Sequence, residues 1–130
     1  MKFLVGYDAS KVSEDALRRA VTHAKALGAD IYIVRSLAQG HTLHKNDIEL
    51  EESRLEDLRD DIRKQGVQCE SDVIVSYHPP GEDLVKFARQ NNIDVVFVGV
   101  RKRSRVGKLV FGSTARYVIL EAPCPVMSVK

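Results

Sequence analysis

Residues 99–114 read GVRKRSRVGKLVFGST. Arg101, Lys102, Arg103, Arg105 and Lys108 crowd into this stretch, and a Gly112-Ser113 pair closes it before Thr114. The composition suits one kind of chemistry, the holding of an anion. Arginine and lysine donate charge-assisted hydrogen bonds to phosphate. Glycine lets a backbone approach a ligand closely. A serine ahead of an apolar-periodic run caps a helix, whose free N–H groups and positive dipole end favour negative charge. Each feature also has a plainer reading: the Gly-Ser pair as a turn with an ordinary cap, the basic run as a solvated loop. A position between an apolar strand and a helix favours binding. Magnitude limits the inference. A helix dipole contributes about 0.3–1 kcal/mol to an anion, or ~2 when partly buried, whereas micromolar affinity needs roughly 8 kcal/mol. A base pocket and further phosphate donors are therefore required.

The elements that must position this segment follow from periodicity. FLVGY at residues 3–7 is a short apolar run stopped by Asp8, a buried strand. Ser10 caps the helix that follows, Ala16, Leu17, Ala20, Val21, Ala24 and Leu27 form its stripe, and Gly28 ends it. Residues 31–34 make a second strand, and residues 37–46 a polar connection. Ile48, Leu55, Leu58 and Ile62 line a highly charged helix closed by Gly66. Val73 to Val75 anchors a third strand, and Pro80 suits the start of a helix that ends at Asn91-Asn92. DVVFVG at residues 94–99 is a buried parallel strand. A helix over residues 112–121 carries Ala115, Val118, Ile119 and Ala122, and the last strand runs from Pro125 to Val129. Strict β-α alternation predicts an α/β fold, an open five-stranded, mostly parallel sheet with helices on both faces, in one domain spanning residues 1–130. In such a sheet, ligands bind at the carboxyl ends of the strands, where strand order reverses. Loop lengths agree, since the long stretches 37–46 and 100–111 both follow strands.

These residues resemble the universal stress proteins, whose members commonly carry G-x-x-G, nine residues, then G-S or G-T. The match here is Gly99, Val100, Arg101, Lys102, nine residues, then Gly112-Ser113, with lysine in place of the second glycine. The opening VGYDAS, the segment from Pro80 to Gly99 and the ending APCPVMSV are also similar to that family, so the resemblance spans nearly the whole chain. It implies a Rossmann-like fold and a cleft for an adenine nucleotide, ATP or AMP, with or without Mg²⁺. Gly6, Tyr7 and Asp8 would border adenine or ribose. Ser36 and Val98 would flank the base. Gly99, Gly112, Ser113 and Thr114 would face ribose and phosphates, beside Arg101 and Lys102. Lys102 cuts two ways. A left-handed backbone there costs a non-glycine residue about 1–2 kcal/mol, while a lysine adds a phosphate contact. The alternative is a dimeric interaction module of the same fold that binds no nucleotide.

Other motifs sort against this frame. Asp8 is equally suited to a turn and to a ligand; beside phosphates it repels unless it faces sugar or base or holds Mg²⁺. The third strand ends Val75-Ser76, without the aspartate a phosphorelay receiver needs, and no G-x-G-x-x-G occurs. His41, His44 and His78 fall in polar loops, where solvation is the usual role. Cys69 and Cys124 have no metal-ligand spacing, and Cys124, between two prolines, reads as structural. No Ser-His-Asp set assembles, so an enzyme is not expected, slow ATP hydrolysis aside. A net charge of +2 and few interleaved aromatics disfavour a nucleic-acid partner. The apolar start is cut short at Asp8, and no run reaches the ~20 apolar residues of a membrane span, so a cytoplasmic protein without a membrane partner is expected. The final strand, Pro125 to Val129, is a candidate sheet edge. Edges invite pairing, and the resemblance implies a homodimer through this strand.

Overall fold

The computed structural model describes residues 1–40, 43–100 and 111–130. They alternate as β1 (Lys2–Gly6), α1 (Lys11–Leu27), β2 (Asp30–Ala38), α2 (Lys45–Lys64), β3 (Cys69–Ser76), α3 (Pro80–Gln90), β4 (Val95–Gly99), α4 (Ser113–Glu121) and β5 (Val126–Val129). Local chemistry sets several of these limits. The Ser10 hydroxyl accepts the N–H of Ser13 at 3.2 Å and caps α1. Gly28, at φ 70°, takes the left-handed conformation that ends it. Pro80 occupies the start of α3, where its missing N–H costs nothing.

One sheet results, in the order β3-β2-β1-β4-β5. All its pairings are parallel, with Leu4 of β1 opposite Tyr32 on one side and Val96 on the other. The chain leaves β1 toward β2 on one side and later returns to place β4 on the other. Strand order therefore reverses between β1 and β4.

Successive side chains alternate between two cores. Phe3, Val5, Ile31, Ile33 and Phe97 pack with Leu17 and Ala20 of α1 and with Leu55 and Ile62 of α2. Leu4, Val34, Val96 and Val98 pack with Leu84 and Ala88 of α3 and with Ala115 and Val118 of α4. The Phe3 and Phe97 rings meet at 5.0 Å, tilted by 55°. Each fully buried large side chain contributes about 1.5–3 kcal/mol of transfer free energy, so the sheet holds helices on both faces without crosslinks; both cysteines are free.

Several limits differ from the sequence-based expectation. β2 runs on to Ala38, because Leu37 and Ala38 stay in the ladder opposite Val75 and Ser76. The polar connection is correspondingly shorter. Ile119 is 40% exposed rather than core. α4 packs chiefly on α3 and touches the sheet less, so only the row of Ala115 and Val118 is covered. Ser113 is the first residue of α4 rather than its cap; Gly112 holds the cap position. Pro125 precedes β5, though its carbonyl still accepts the N–H of Val96 at 3.0 Å. No helix among the described residues is long and apolar enough to cross a membrane.

Candidate functional site

A cleft of about 310 Å³ opens at the carboxyl ends of β1, β2 and β4. That volume lies at the lower end of the range typical of small-ligand sites. Gly6, Tyr7, Asp8, Ser36, Val98, Gly99, Gly112, Ser113 and Thr114, all expected from the sequence, line it. Arg101 and Lys102, with the rest of the basic run, lie outside the described residues. The cleft also takes in Ser10, Val12 and Ser13 of the first turn of α1, Val34 of β2, Pro80 and Leu84 of α3, and Ala115. Sequence reasoning missed Val34, Leu84 and Ala115 because they belong to a core, and Ser10 because it caps a helix. Their only shared signal is proximity to a strand's carboxyl end.

The β1–α1 turn is held from within. The N–H of Ser10 donates to Asp8 Oδ1 at 2.9 Å, and the N–H of Asp8 donates to Ser13 Oγ at 3.3 Å. Ser13 Oγ in turn donates to the Ser10 carbonyl at 2.9 Å. Asp8 thus serves the turn, one of its two expected roles. Ala9 between them sits at φ 66°, a left-handed conformation that strains an L-residue.

Gly99 closes the floor for a packing reason. A Cβ there would lie 2.6 Å from the carbonyl carbon and oxygen of Val12, so α1 rests directly on the end of β4. The glycine of the expected motif is thus needed by the fold, independently of any ligand.

The far wall is the start of α4. No side chain among the described residues caps it, and its first turn carries no acidic residue. The other helices differ. Glu14 lies in the first turn of α1, Asp47 in that of α2, and Glu82 and Asp83 in that of α3. Acidic residues there offset the positive helix end. α4 directs an unoffset one into the cleft, an arrangement suited to an anion.

At the Asp8 turn, opposite this wall, Tyr7 keeps its proton. Burial pushes its phenol above the ordinary value of 10.0, and Glu14 adds to the shift. Arg35 pairs with Glu51 at 2.6 Å, and Arg54 meets the other carboxylate oxygen at 2.9 Å, tying α2 to β2 nearby. The Ser36 side of the cleft holds a contact that the sequence did not suggest. Ser36 Oγ donates to Asp83 Oδ2 at 2.6 Å.

The remaining candidates are not brought into the cleft. His44 begins α2, and His78 lies 3.3 Å from Glu82; His41 lies outside the described residues. Among the described residues, no group of three or more His, Cys, Asp or Glu side chains is placed to hold a metal.

The model of the universal stress protein family matches residues 1–130. This chain belongs to that family. The universal stress protein MJ0531 of Methanocaldococcus jannaschii is 25% identical over 140 residues, covering 99% of this chain and 81% of that one. A universal stress protein from Archaeoglobus fulgidus superposes with a TM-score of 0.87 at 37% identity, covering 100% of this chain and 98% of that one. An Archaeoglobus fulgidus universal stress protein solved in complex with dAMP gives a TM-score of 0.82 at 33% identity over the same shares of the two chains. The chain therefore has the Rossmann-like architecture of its family, and a relative binds an adenine nucleotide.

Proposed function

We propose that this universal stress protein binds an adenine nucleotide, ATP or AMP with or without Mg²⁺, and acts as a regulatory homodimer in the cytoplasm. One observation carries the reading. The start of α4, without an acidic residue in its first turn and without a side-chain cap among the described residues, faces the self-braced Asp8 turn across a cleft of about 310 Å³. The relative's dAMP complex supports the choice of nucleotide. In this reading the N–H groups of Ser113, Thr114 and Ala115 receive phosphate, joined by Arg101 and Lys102. Gly6, Tyr7 and Asp8 border ribose or base, Gly99 lies beneath the ribose, and Ser36 and Val98 flank the base. Asp8, already engaged by the Ser10 N–H, faces sugar rather than phosphate. In this reading the chain is a binding protein rather than an enzyme, slow ATP hydrolysis aside. The dimer forms through the exposed edge of β5, and nucleic acid and membrane are not partners.

Calorimetric titration of the purified chain with AMP and with ATP, each with and without Mg²⁺, tests the proposal. Saturable heat at micromolar to submillimolar ligand is expected. No heat at millimolar concentrations of either would sink it. That result would favour the second reading, a dimeric module of the same fold without nucleotide, which Lys102 in the position of a family glycine supports.

A further inference from the structure

Asp83 lies in the first turn of α3 and is only 5% exposed. Two hydroxyls from two neighbouring strands converge on one of its oxygens. Ser36 Oγ of β2 donates to Oδ2 at 2.6 Å, and Ser76 Oγ of β3 donates to the same atom at 2.7 Å. Ser76 also accepts the N–H of His78 at 3.0 Å, so the β3–α3 turn fixes it from the other side. The helix start favours negative charge at this position.

A serine hydroxyl has one proton and two lone pairs, and a carboxylate only accepts. The proton of Ser36 is committed to Asp83. Whatever its oxygen then offers the cleft, which Ser36 lines beside Val34 and Val98, is a lone pair. We infer that Asp83 is a positioning residue that holds Ser36 as a fixed hydrogen-bond acceptor at the base end. The cleft thereby selects a purine with an amino group at C6 over one with a carbonyl there. The inference rests on the adenine-nucleotide reading above. An adenine amino group donates to the Ser36 oxygen. The hypoxanthine carbonyl sets oxygen against oxygen, and the hydroxyl cannot turn to suit it without abandoning the buried carboxylate.

The test compares AMP with IMP, which differ at that edge of the base, by calorimetry on the wild-type chain, Ser36→Ala and Asp83→Leu. Asp83→Leu is close in size and leaves the Ser36 hydroxyl free to rotate. The wild-type chain is expected to prefer AMP by about tenfold or more, the scale of one hydrogen bond lost in a desolvated site. In both variants the ratio is expected to fall to within about threefold of unity. A purely structural role for Asp83 would instead weaken both nucleotides together and leave the ratio unchanged, which would overturn the inference. So would equal binding of AMP and IMP by the wild-type chain, or a preference that survives Ser36→Ala. In those cases AMP still binds and the nucleotide reading stands. Failure of AMP to bind the wild-type chain at all would overturn both.

Discussion

A methyl group on Gly99 would press on the peptide carbonyl of Val12, not on a side chain that could swing away. Either α1 or the end of β4 must shift to admit it. Gly99→Ala is therefore expected to destabilise the chain by about 1–3 kcal/mol, the usual cost of overpacking, measured by urea unfolding without ligand. A variant as stable as the parent would remove the packing account. Cys69 gives a second residue-scale expectation. Burial pushes its thiol from 9.0 up to about 12. Between those values the unfolded chain has lost a proton that the folded chain keeps. The stability contributed by Cys69 is complete below pH 9 and lost as pH rises toward 12. Tyr7, also raised, adds a loss of the same sign above pH 10. Unfolding free energies measured from pH 8 to 10.5 should decline, with a shallower slope in Cys69→Ala. At this scale the sequence was partly legible. Asp8 and Gly112 stood out because their types matter locally. Asp83 did not, because its partners lie 47 and 7 positions away in the chain. Taken alone, an acidic residue at a helix start is already explained by the dipole.

The elements were legible where capping and periodicity agreed, as in α1 between Ser10 and Gly28. They were misread where tertiary contacts decided. β2 is extended by its pairing with β3, and α4 buries a narrow stripe because α3 is its main support. The start of α4 carries the sharpest element-scale prediction. Gly112 has ψ 156°, an extended conformation that tolerates a following proline. Ser113 is the first helical residue, where proline is accepted. Ser113→Pro should change stability by no more than about 0.5 kcal/mol while deleting one N–H donor. AMP affinity is expected to fall about tenfold, the scale of one charge-assisted hydrogen bond. Ser113→Ala, which keeps the N–H, separates the backbone donor from the hydroxyl. Equal affinities for Ser113→Pro and Ser113→Ala would mean that this N–H does not meet phosphate.

Over the whole molecule, parallel pairing brings every strand's carboxyl end to one edge and so gathers residues as distant in sequence as Gly6 and Thr114 into one cleft. The alternation of elements made that edge foreseeable. The flanking Ser10 and Leu84 were not, since the one caps α1 and the other packs in a core. The same topology leaves β5 at an edge, with Ser128 exposed. Lysine on an edge strand discourages pairing with another chain. Ser128→Lys should shift a dimer toward monomer in sedimentation velocity at micromolar protein, with the circular dichroism spectrum unchanged. A parent chain that sediments as a monomer would refute assembly through this strand.

The unoffset start of α4 also bears on how occupancy would be sensed. A phosphate seated there supplies the negative charge that acidic side chains supply to the other helices, so ligand and helix become one thermodynamic unit. Occupancy is then written into the folding equilibrium itself. At a nucleotide concentration about a hundred times Kd, linkage adds about 2.7 kcal/mol to the folded state. Amide hydrogens at residues 113–116 should exchange more slowly as AMP is added, and the melting temperature should rise with its logarithm. A chain of this design would report cellular nucleotide level through its own persistence, with no movement of domains.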